Sequence, residues 1–283
     1  MKLIILVSCV VMCFNSVAFS ASVDKLIFLQ KYGYLDSTPT SPNKLSRLMN
    51  KKNYSEALKR FQKFYGLNAT GIADTETLLA MNLPRCGVKD PNTSKQTRHK
   101  RYAVMDQPLW KKRDLTYNIS KYSYHLDRNL VEREIERAFA EWSKYTDFTF
   151  TNSKNRNADI DIRFERRDHG DGDPFDGPGP ELAHAEVKED GTGLIHFDDD
   201  DNCGEDDGFF FKIVLHEIGH VLGLDHTNEE KSVMRPRADI TYSELQSYDI
   251  QAIQDLYEYS DKNSDENLWL KKFFSWVLDE SFN

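Results

Sequence analysis

The stretch HEIGHVLGLDH at positions 216–226 constrains this chain more than any other part of its sequence. The apolar residues around it, in FKIVLHEIGHVLGL, predict a helix, and residues four apart on a helix lie above one another. His216 and His220 therefore present two imidazoles to the same point, with Glu217 beside them. An alternative interpretation is that both histidines are ordinary hydrogen-bonded groups on a core helix.

Gly223 is expected to end this helix and to let the chain turn, so that His226 approaches the same point. Three nitrogen ligands leave one position of a tetrahedral zinc ion open, which is typical of catalytic rather than structural sites. Such a metal lowers the pKa of water toward about 7 and polarises a carbonyl group. We therefore expect Glu217 to act as the general base that passes a proton from water to a leaving amine.

The composition favours a soluble chain with one large domain or two modest ones. The chain has 283 residues, of which 39 % are hydrophobic and 29 % are charged. Its net charge of -9 argues against a nucleic-acid partner.

Residues 1–20 have the layout of a secretory signal. Lys2 precedes an apolar stretch of about twelve residues, which is too short to span a bilayer, and small residues follow near Ser20. An N-terminal helix buried in the protein is the alternative. We expect a secreted, extracellular protein.

Cys86 and Cys203 remain once Cys9 and Cys13 leave with the signal. Two thiols in an oxidising compartment can form a disulfide, so a Cys86–Cys203 pair is one expectation. The alternative, that Cys86 is a metal ligand, follows only from the resemblance below.

The rest of the chain divides into three parts. Residues 21–101 are expected to form a helical pro-domain: helical periodicity extends from about 21 to 83, and a polar stretch without periodicity follows, which suggests an exposed linker. The linker ends in a basic run, Arg98, Lys100 and Arg101, that is typical of processing sites, although it could be a solvated charge cluster. Residues 102–260 mix strand and helix patterns, which predicts an α+β domain. Residues 261–283 form a short tail that could lie on the protein, on a membrane surface or on a partner.

From about Leu26 to Tyr259 the sequence resembles the matrix metalloproteinases, the matrixin branch of the metzincin zinc endopeptidases. The motifs that carry the resemblance are FQKFYGLNATGIADTETLLAM, PRCGV, LTYNI, HGDGDPFDGPGPELAHA, HFDDDD, the histidine stretch and SVMRP. The resemblance implies a twisted, mostly parallel sheet with long helices, preceded by a small all-α pro-domain. It also implies a minimal form without the C-terminal propeller of many relatives.

The resemblance assigns Cys86 to the fourth position on the catalytic zinc of a latent form, which cleavage after Arg101 would end. Arg85 would pair with Asp90, although Lys89 replaces a proline of the family's motif. Met234 would lie beneath the metal.

Further metal sites follow from the same resemblance. A second, structural zinc would be held by His169, Asp171, His184 and His196. One calcium ion would be held by Asp176, Asp198 and Asp201 with the carbonyls of Gly177, Gly179 and Glu181. A further calcium site, with Asp159 and carbonyls near Gly191 and Gly193, is expected to be weak or absent because Leu194 replaces an aspartate.

Several departures from the family bear on specificity and on the N-terminus. They are Lys212 and Ala238 near the primary specificity pocket, Thr227 after the third histidine, and Tyr248 in place of an acid. The implied partners are peptide segments of extracellular matrix or other secreted proteins, a processing protease and protein inhibitors of metalloproteinases. The rival interpretations are a catalytically silent metal-binding module of the same fold and a different metzincin branch.

Overall fold

The structure is a computed structural model that describes residues 25–35, 51–91, 109–154, 157–201, 208–237 and 242–257. The chain forms two compact units. The first is Met1–Leu83 with Lys89–Gln96, and the second is Pro84–Val88 with Thr97–Asn283. Among the described residues, no helix combines the length and the apolar character needed to cross a membrane.

Several predictions fall outside the described residues. They concern the signal at 1–20, the processing residues Arg98, Lys100 and Arg101, the residues Cys203 and Ala238, and the tail at 261–283. These stay predictions.

The first unit contains three helices in its described part: α1 at 25–31, α2 at Lys51–Phe64 and α3 at Thr75–Met81. Leu29, Leu58 and Phe61 form the centre of its core and are fully buried. Asp74 begins α3 because its side chain accepts a hydrogen bond from the Thr77 N–H at 2.9 Å.

The second unit is built on a six-stranded sheet in the order β1-β5-β6-β4-β2-β3. The strands are β1 Arg85–Cys86, β2 Asp114–Lys121, β3 Thr149–Asn152, β4 Ile160–Glu165, β5 Glu181–Val187 and β6 Gly193–Asp198. Only the β5–β6 pair is antiparallel. The central strands β4 and β6 are almost wholly buried, which is typical of parallel strands covered by helices.

In the described part of the second unit, three helices accompany the sheet: α4 at Arg128–Ser143, α5 at Phe209–Val221 and α6 at 247–257. Every residue of α5 from Phe210 to Val221 is buried except Lys212. A helix that is apolar on all sides belongs in a core, so α5 lies inside the second unit and positions its histidines rigidly. Trp142 of α4 fixes this helix by donating its indole N–H to Leu215 O at 3.0 Å.

The predicted fold class is confirmed: the sheet is mostly parallel and accompanied by long helices, and the described residues of the first unit contain only helices and turns. The last helix differs from its prediction. The pattern YSELQSYDIQAIQDLYEY predicts helix from residue 242, whereas the helix starts at 247. Asp249 explains the late start because its carboxylate accepts the Gln246 N–H at 3.0 Å and so caps the helix there.

Candidate functional site

Four side chains of the second unit converge at the end of α5, and we call them the helix cluster: His216, His220, His226 and Cys86. Their ligand atoms lie within 4.8 Å of one another, and all four residues are buried. His216 Nε2 lies 3.0 Å from His220 Nε2 and 3.2 Å from His226 Nε2. The structure thus brings together the three histidines and the cysteine that the sequence singled out.

Two imidazoles of the helix cluster are held in a single tautomer. The Nδ1 atom of His216 donates to Val233 O at 2.7 Å, and that of His220 donates to Leu224 O at 2.8 Å. Their Nε2 lone pairs therefore face each other, which is unfavourable unless a cation lies between them. Zinc–nitrogen distances of about 2.0–2.1 Å in a tetrahedron place the nitrogens roughly 3.4 Å apart, close to the separation found here. The donor set therefore fits zinc.

Burial lowers the pKa of His220 well below its usual range, and the two neighbouring histidines lower it further. The ring is therefore neutral at physiological pH. Neutral imidazole is the form that binds a metal ion.

The turn that follows α5 delivers the third histidine. Gly223 has φ of +100°, and its N–H donates to His220 O at 2.9 Å. The next N–H, of Leu224, donates to Gly219 O at 2.9 Å, so the helix ends in a left-handed turn that glycine adopts without strain. This turn reverses the chain so that His226 faces His216.

Met234, expected beneath the metal, packs against α5 at Gly219, the residue before His220. A Cβ atom added at Gly219 would overlap the Met234 side chain, so the methionine packs directly against the bare backbone of α5. Thr227 N donates to Met234 O at 3.0 Å, so the turn that contains Met234 is joined to the segment that carries His226. Through Gly219 and Thr227, this turn contacts the segments that carry His220 and His226.

Glu217 is fully buried beside the cluster. Burial raises its pKa to about 8, and the neighbouring Cys86 thiol acts in the opposite direction. A carboxyl group whose pKa lies near neutral pH is suited to proton transfer. Burial also raises the pKa of the Cys86 thiol well above its usual range, and the charge of Glu217 adds to that effect. A bound divalent cation offsets the unfavourable free energy of ionising this buried thiol, because it stabilises the thiolate.

Residues 84–88, which we call the switch segment, hold Cys86 in place by backbone hydrogen bonds on both sides. Gly87 N donates to Ala183 O of β5 at 2.7 Å, and Cys86 N donates to Pro236 O at 2.8 Å. The switch segment thus occupies the edge of the sheet as strand β1, parallel to β5. Its position brings the thiol within 4.8 Å of the ligand nitrogens of the three imidazoles.

Arg85 is also buried, at 1 % exposure, and its Nε atom donates to Cys86 O at 2.9 Å. Asp90, the expected partner of Arg85, accepts a hydrogen bond from the Tyr34 hydroxyl at 2.7 Å. The pairing of Arg85 with Asp90 stays a prediction.

A second group of side chains, which we call the sheet cluster, consists of His169, Asp171, His184 and His196. Asp171 Oδ2 lies 2.7 Å from His169 Nε2 and 3.0 Å from both His184 Nε2 and His196 Nδ1. The three nitrogens lie 3.1–3.3 Å apart. His184 and His196 are direct neighbours in the β5–β6 register, while the other two residues come from the loop after β4. Four ligands without an open position fit a structural zinc.

The electrostatics of the sheet cluster agree with this assignment at Asp171 and His196. At His184, burial lowers the pKa, but the Glu181 and Asp171 carboxylates outweigh it and raise the pKa above its usual range, so zinc would displace a proton there. Burial opposes ionisation of Asp171, but the Asp173 N–H and the neighbouring histidines outweigh it and hold the pKa of Asp171 well below its usual range. Burial lowers the pKa of His196 to about 4, and His184 and His169 lower it further. An ionised aspartate beside a neutral imidazole is the state that a zinc site requires.

Three aspartates lie together near the start of β5: Asp176, Asp198 and Asp201. Burial raises the pKa of Asp201 to about 6, and the charges of Asp198 and Asp176 add to the effect. Asp198 Oδ2 and Asp201 Oδ2 are buried without a hydrogen-bond donor among the described residues. Buried carboxylate oxygens that lack donors fit a hard cation such as calcium. The carbonyl ligands stay predictions: those of Gly177, Gly179 and Glu181.

The departures from the family occupy distinct places. Lys212 is half-buried on α5, one turn before His216, and the Thr227 hydroxyl lies 3.3 Å from the Tyr248 hydroxyl, so two of the departures contact each other. Asp159 lies 2.5 Å from the Lys112 ammonium group.

Sequence reasoning missed two buried acids. Asp249 accepts hydrogen bonds from the Ser232 hydroxyl and from the Val233 N–H, so it fixes the turn whose carbonyl orients His216. The Glu181 side chain contacts His184, whereas the sequence suggested only a role for its carbonyl. Each contact depends on the folded chain, so no local pattern in QSYDIQ or GPGPELAH indicated it.

Three imidazoles on a buried helix and its turn, an adjacent glutamate and a closed four-ligand cluster define a metallopeptidase domain of the metzincin type. The chain belongs to the matrixin family, which residues 109–258 match. Residues 27–81 match the family described as a peptidoglycan binding domain. Family membership implies catalytic and structural zinc together with calcium, and the clusters fit these ions.

Individual relatives agree with this assignment. The chain is 37 % identical to matrix metalloproteinase-16 of Mus musculus over 83 % of this chain and 41 % of the relative. It is 40 % identical to interstitial collagenase of Bos taurus over 81 % of this chain and 48 % of that protein. Matrix metalloproteinase-18 of Xenopus laevis is 39 % identical, over 72 % of this chain and 44 % of the relative. The chain thus spans less than half the length of these relatives.

Proposed function

We propose that this chain is the secreted, latent precursor of a zinc-dependent endopeptidase that hydrolyses peptide bonds of extracellular proteins. The observation that carries the proposal is the convergence of three imidazoles, a buried glutamate and a thiol on one point. The Cys86 thiol accounts for the latent form of this site, and the Glu217 carboxylate accounts for its hydrolytic form.

Glu217 is the general base of the proposed reaction. A zinc ion held by the three imidazoles supplies a Lewis acid that polarises the scissile carbonyl and acidifies water. Glu217 takes the proton from the attacking water and passes it to the nitrogen of the leaving amine. Its burial keeps the carboxyl group ready to hold that proton between the two transfers.

Cys86 maintains latency in this proposal. Its thiolate completes the ligand set, and the switch segment fills the sheet edge that a substrate would use. Cleavage after Arg101 removes residues 21–101 and frees both the fourth ligand position and the edge of β5.

An extended peptide that pairs with this edge is the proposed substrate, since backbone hydrogen bonds then give affinity and side-chain pockets give specificity. A pocket beside His216 and Glu217 is lined by Arg235 and Arg237, and also by Arg85 and Cys86, which cleavage after Arg101 would remove. We therefore expect peptides with an acidic residue next to the cleaved bond to be preferred over those with a basic one.

The central test is Glu217→Ala in the processed protein. Cleavage of a peptide library should fall by about 10²–10⁴-fold, because only the base is lost, while the zinc content stays unchanged. Glu136→Ala is the matched control, since Glu136 is exposed on α4, away from the proposed substrate edge. Unchanged turnover in Glu217→Ala would refute the role of this residue. A wild-type protein that binds zinc but cleaves no peptide, with or without chelator, would instead support the silent binding module.

Secretion and processing need their own test. The full chain, expressed in cells with a secretory pathway, should yield a precursor that starts near residue 21 and a product that starts at Tyr102, as read by N-terminal sequencing. Arg101→Ala should leave only the precursor. Material retained in the cytosol, or a product that starts elsewhere in the Arg101→Ala variant and the wild type alike, would contradict this part of the proposal.

A further inference from the structure

Glu181 is the first residue of β5 and is fully buried, which is unusual for an acid. Its Oε1 atom lies 3.1 Å from Nδ1 of His184, while the other ring nitrogen of His184 lies 3.0 Å from Asp171 Oδ2 in the sheet cluster. A carboxylate on the far nitrogen of a metal-binding histidine fixes the tautomer and the orientation of the ring.

The same carboxylate also touches the switch segment. A Cβ atom added at Gly87 would overlap Oε1 of Glu181 and would come within 3.1 Å of the His184 Cβ. Gly87 is also the residue whose N–H donates to Ala183 O at 2.7 Å. The switch segment can therefore approach β5 closely only because residue 87 has no side chain.

Glu181 consequently lies between the two clusters. On one side it contacts a ligand of the sheet cluster, and on the other it contacts the residue next to Cys86 of the helix cluster.

We propose that Glu181 is a positioning residue that acts in two ways. It orients His184 for the second zinc, which we call the orienting role, and it forms the wall that admits only glycine at position 87, which we call the wall role. This inference rests on the proposed function for the identity of the metal and for latency. The predicted ligand sets use only the carbonyl of Glu181, and the proposal gives its side chain a role.

The first test measures zinc rather than activity. Full-length chains carrying Glu217→Ala, which prevents self-cleavage, are dialysed against a graded series of chelator concentrations, and bound zinc is counted by atomic emission. Glu181→Leu should release one of two zinc ions at a chelator concentration about 10–100-fold lower than the parent, because the outer-shell acceptor is gone. Glu181→Gln keeps an oxygen that accepts from Nδ1 and should lie closer to the parent.

The matched control is Glu186→Leu, which removes the same charge from an exposed position of the same strand. Equal zinc retention by Glu181→Leu and Glu186→Leu would overturn the orienting role. If Glu181→Leu does not fold, Glu181→Ala decides, because it also removes the acceptor: retention below that of Glu186→Ala supports the orienting role, and identical retention contradicts it. A parent chain that binds fewer than two zinc ions would refute the proposed cofactors rather than the role of Glu181.

The second test measures access to Cys86 with a thiol reagent in a Cys203→Ser background, using the secreted precursor. Gly87→Ala should raise the rate of labelling by roughly tenfold or more, because the added methyl group overlaps the Glu181 carboxylate. Gly87→Ala with Glu181→Ala makes room for that methyl group and should restore much of the protection.

Either of two results would overturn the wall role. One is a Gly87→Ala precursor as protected as the parent, and the other is a double variant labelled as fast as Gly87→Ala alone. Rapid labelling of the parent itself would instead refute latency through Cys86. The test therefore separates the role of Glu181 from the proposed function.

Discussion

The helix cluster and the sheet cluster both gather four ligands, but the chain builds them in different ways. Three ligands of the helix cluster come from eleven consecutive residues, 216–226, and the fourth comes from the distant switch segment. The sheet cluster takes all four ligands from residues 169–196, on a loop and two paired strands. In the proposed function the distant ligand, Cys86, is replaceable, whereas the sheet cluster is complete within its own loop and strands. This difference separates a reactive metal site from a structural one.

Removal of the replaceable ligand should have the largest effect. Cys86→Ser leaves the uncleaved precursor without its thiolate, and because a tethered ligand acts at a high effective concentration, peptidase activity should rise by roughly 100-fold or more. Peptide cleavage by the uncleaved chain is the measurement.

Cys203→Ser is the control for loss of a thiol and should leave the precursor silent. A silent Cys86→Ser precursor would show that the two sites do not differ in this way. A Cys86–Cys203 disulfide, detected by mass spectrometry of the precursor, would explain that result.

Removal of a ligand from the closed cluster should weaken metal binding without activating anything. Asp171→Ala removes one of four ligands, so its zinc should be lost at a chelator concentration lower by more than the roughly 10–100-fold typical of outer-shell changes. The helix-cluster zinc should stay bound. Zinc content during chelation measures both.

Asp168→Ala is the control, because Asp168 is exposed in the same loop. If Asp171→Ala lost both zinc ions together, the two clusters would be one cooperative unit, and the comparison would fail.

The two clusters also differ in how far the sequence predicts them. His216, His220 and Glu217 follow from helical spacing alone, and Gly223 marks the turn, because all of these contacts are local. The sheet cluster has no such spacing. His184 and His196 meet only because β5 and β6 pair in one register, so the family resemblance, rather than periodicity, predicted that group.

The fold class followed from helix and strand periodicity, but the contacts of two buried acids did not. Glu181 and Asp249 act on residues brought near by the folded chain, and Asp249 also starts α6 at 247, which apolar spacing could not indicate. Buried polar contacts depend on tertiary structure, so they lie beyond what local patterns predict.

The segment that carries each cluster contains a glycine with positive φ, so the same substitution can be made at both sites. Its effect should be smaller than that of removing a ligand. Gly223 at +100° follows the helix histidines, and Gly170 at +87° separates His169 from Asp171. Gly170→Ala should lower the free energy of unfolding by about 1–2 kcal/mol, the cost of a left-handed residue. Gly223→Ala should cost more, since its Cβ would also lie 3.0 Å from Leu256.

Urea denaturation of the zinc-loaded chain measures both changes, and Gly66→Ala is the control. Gly66 has φ of +69° with no atom within 4 Å of an added Cβ, and it lies in the first unit. If all three substitutions lowered the free energy of unfolding equally, the close approach of Leu256 to residue 223 would not add to the cost of Gly223→Ala.

The smallest effect concerns pH and calcium near the sheet cluster. The pKa of Asp201 is raised to about 6, so in this range the folded chain binds its proton more tightly than the unfolded chain. The free energy of unfolding of the calcium-free protein should therefore fall as pH rises from about 4 to about 6. Calcium relieves the repulsion among the ionised carboxylates, so its stabilising effect should grow over the same window.

Thermal unfolding near pH 5 and near pH 7.5, with and without calcium, measures this difference. The calcium-induced rise in Tm should be larger at the higher pH, and Asp201→Asn, which cannot ionise, should reduce the contrast. A rise in Tm that is independent of pH would place calcium elsewhere. The helix cluster should respond differently, because burial lowers the pKa of His220 well below its usual range and the ligand set of this cluster contains no carboxylate. A pH-dependent calcium effect that disappears in Asp201→Asn would therefore assign this sensitivity to the sheet side of the domain.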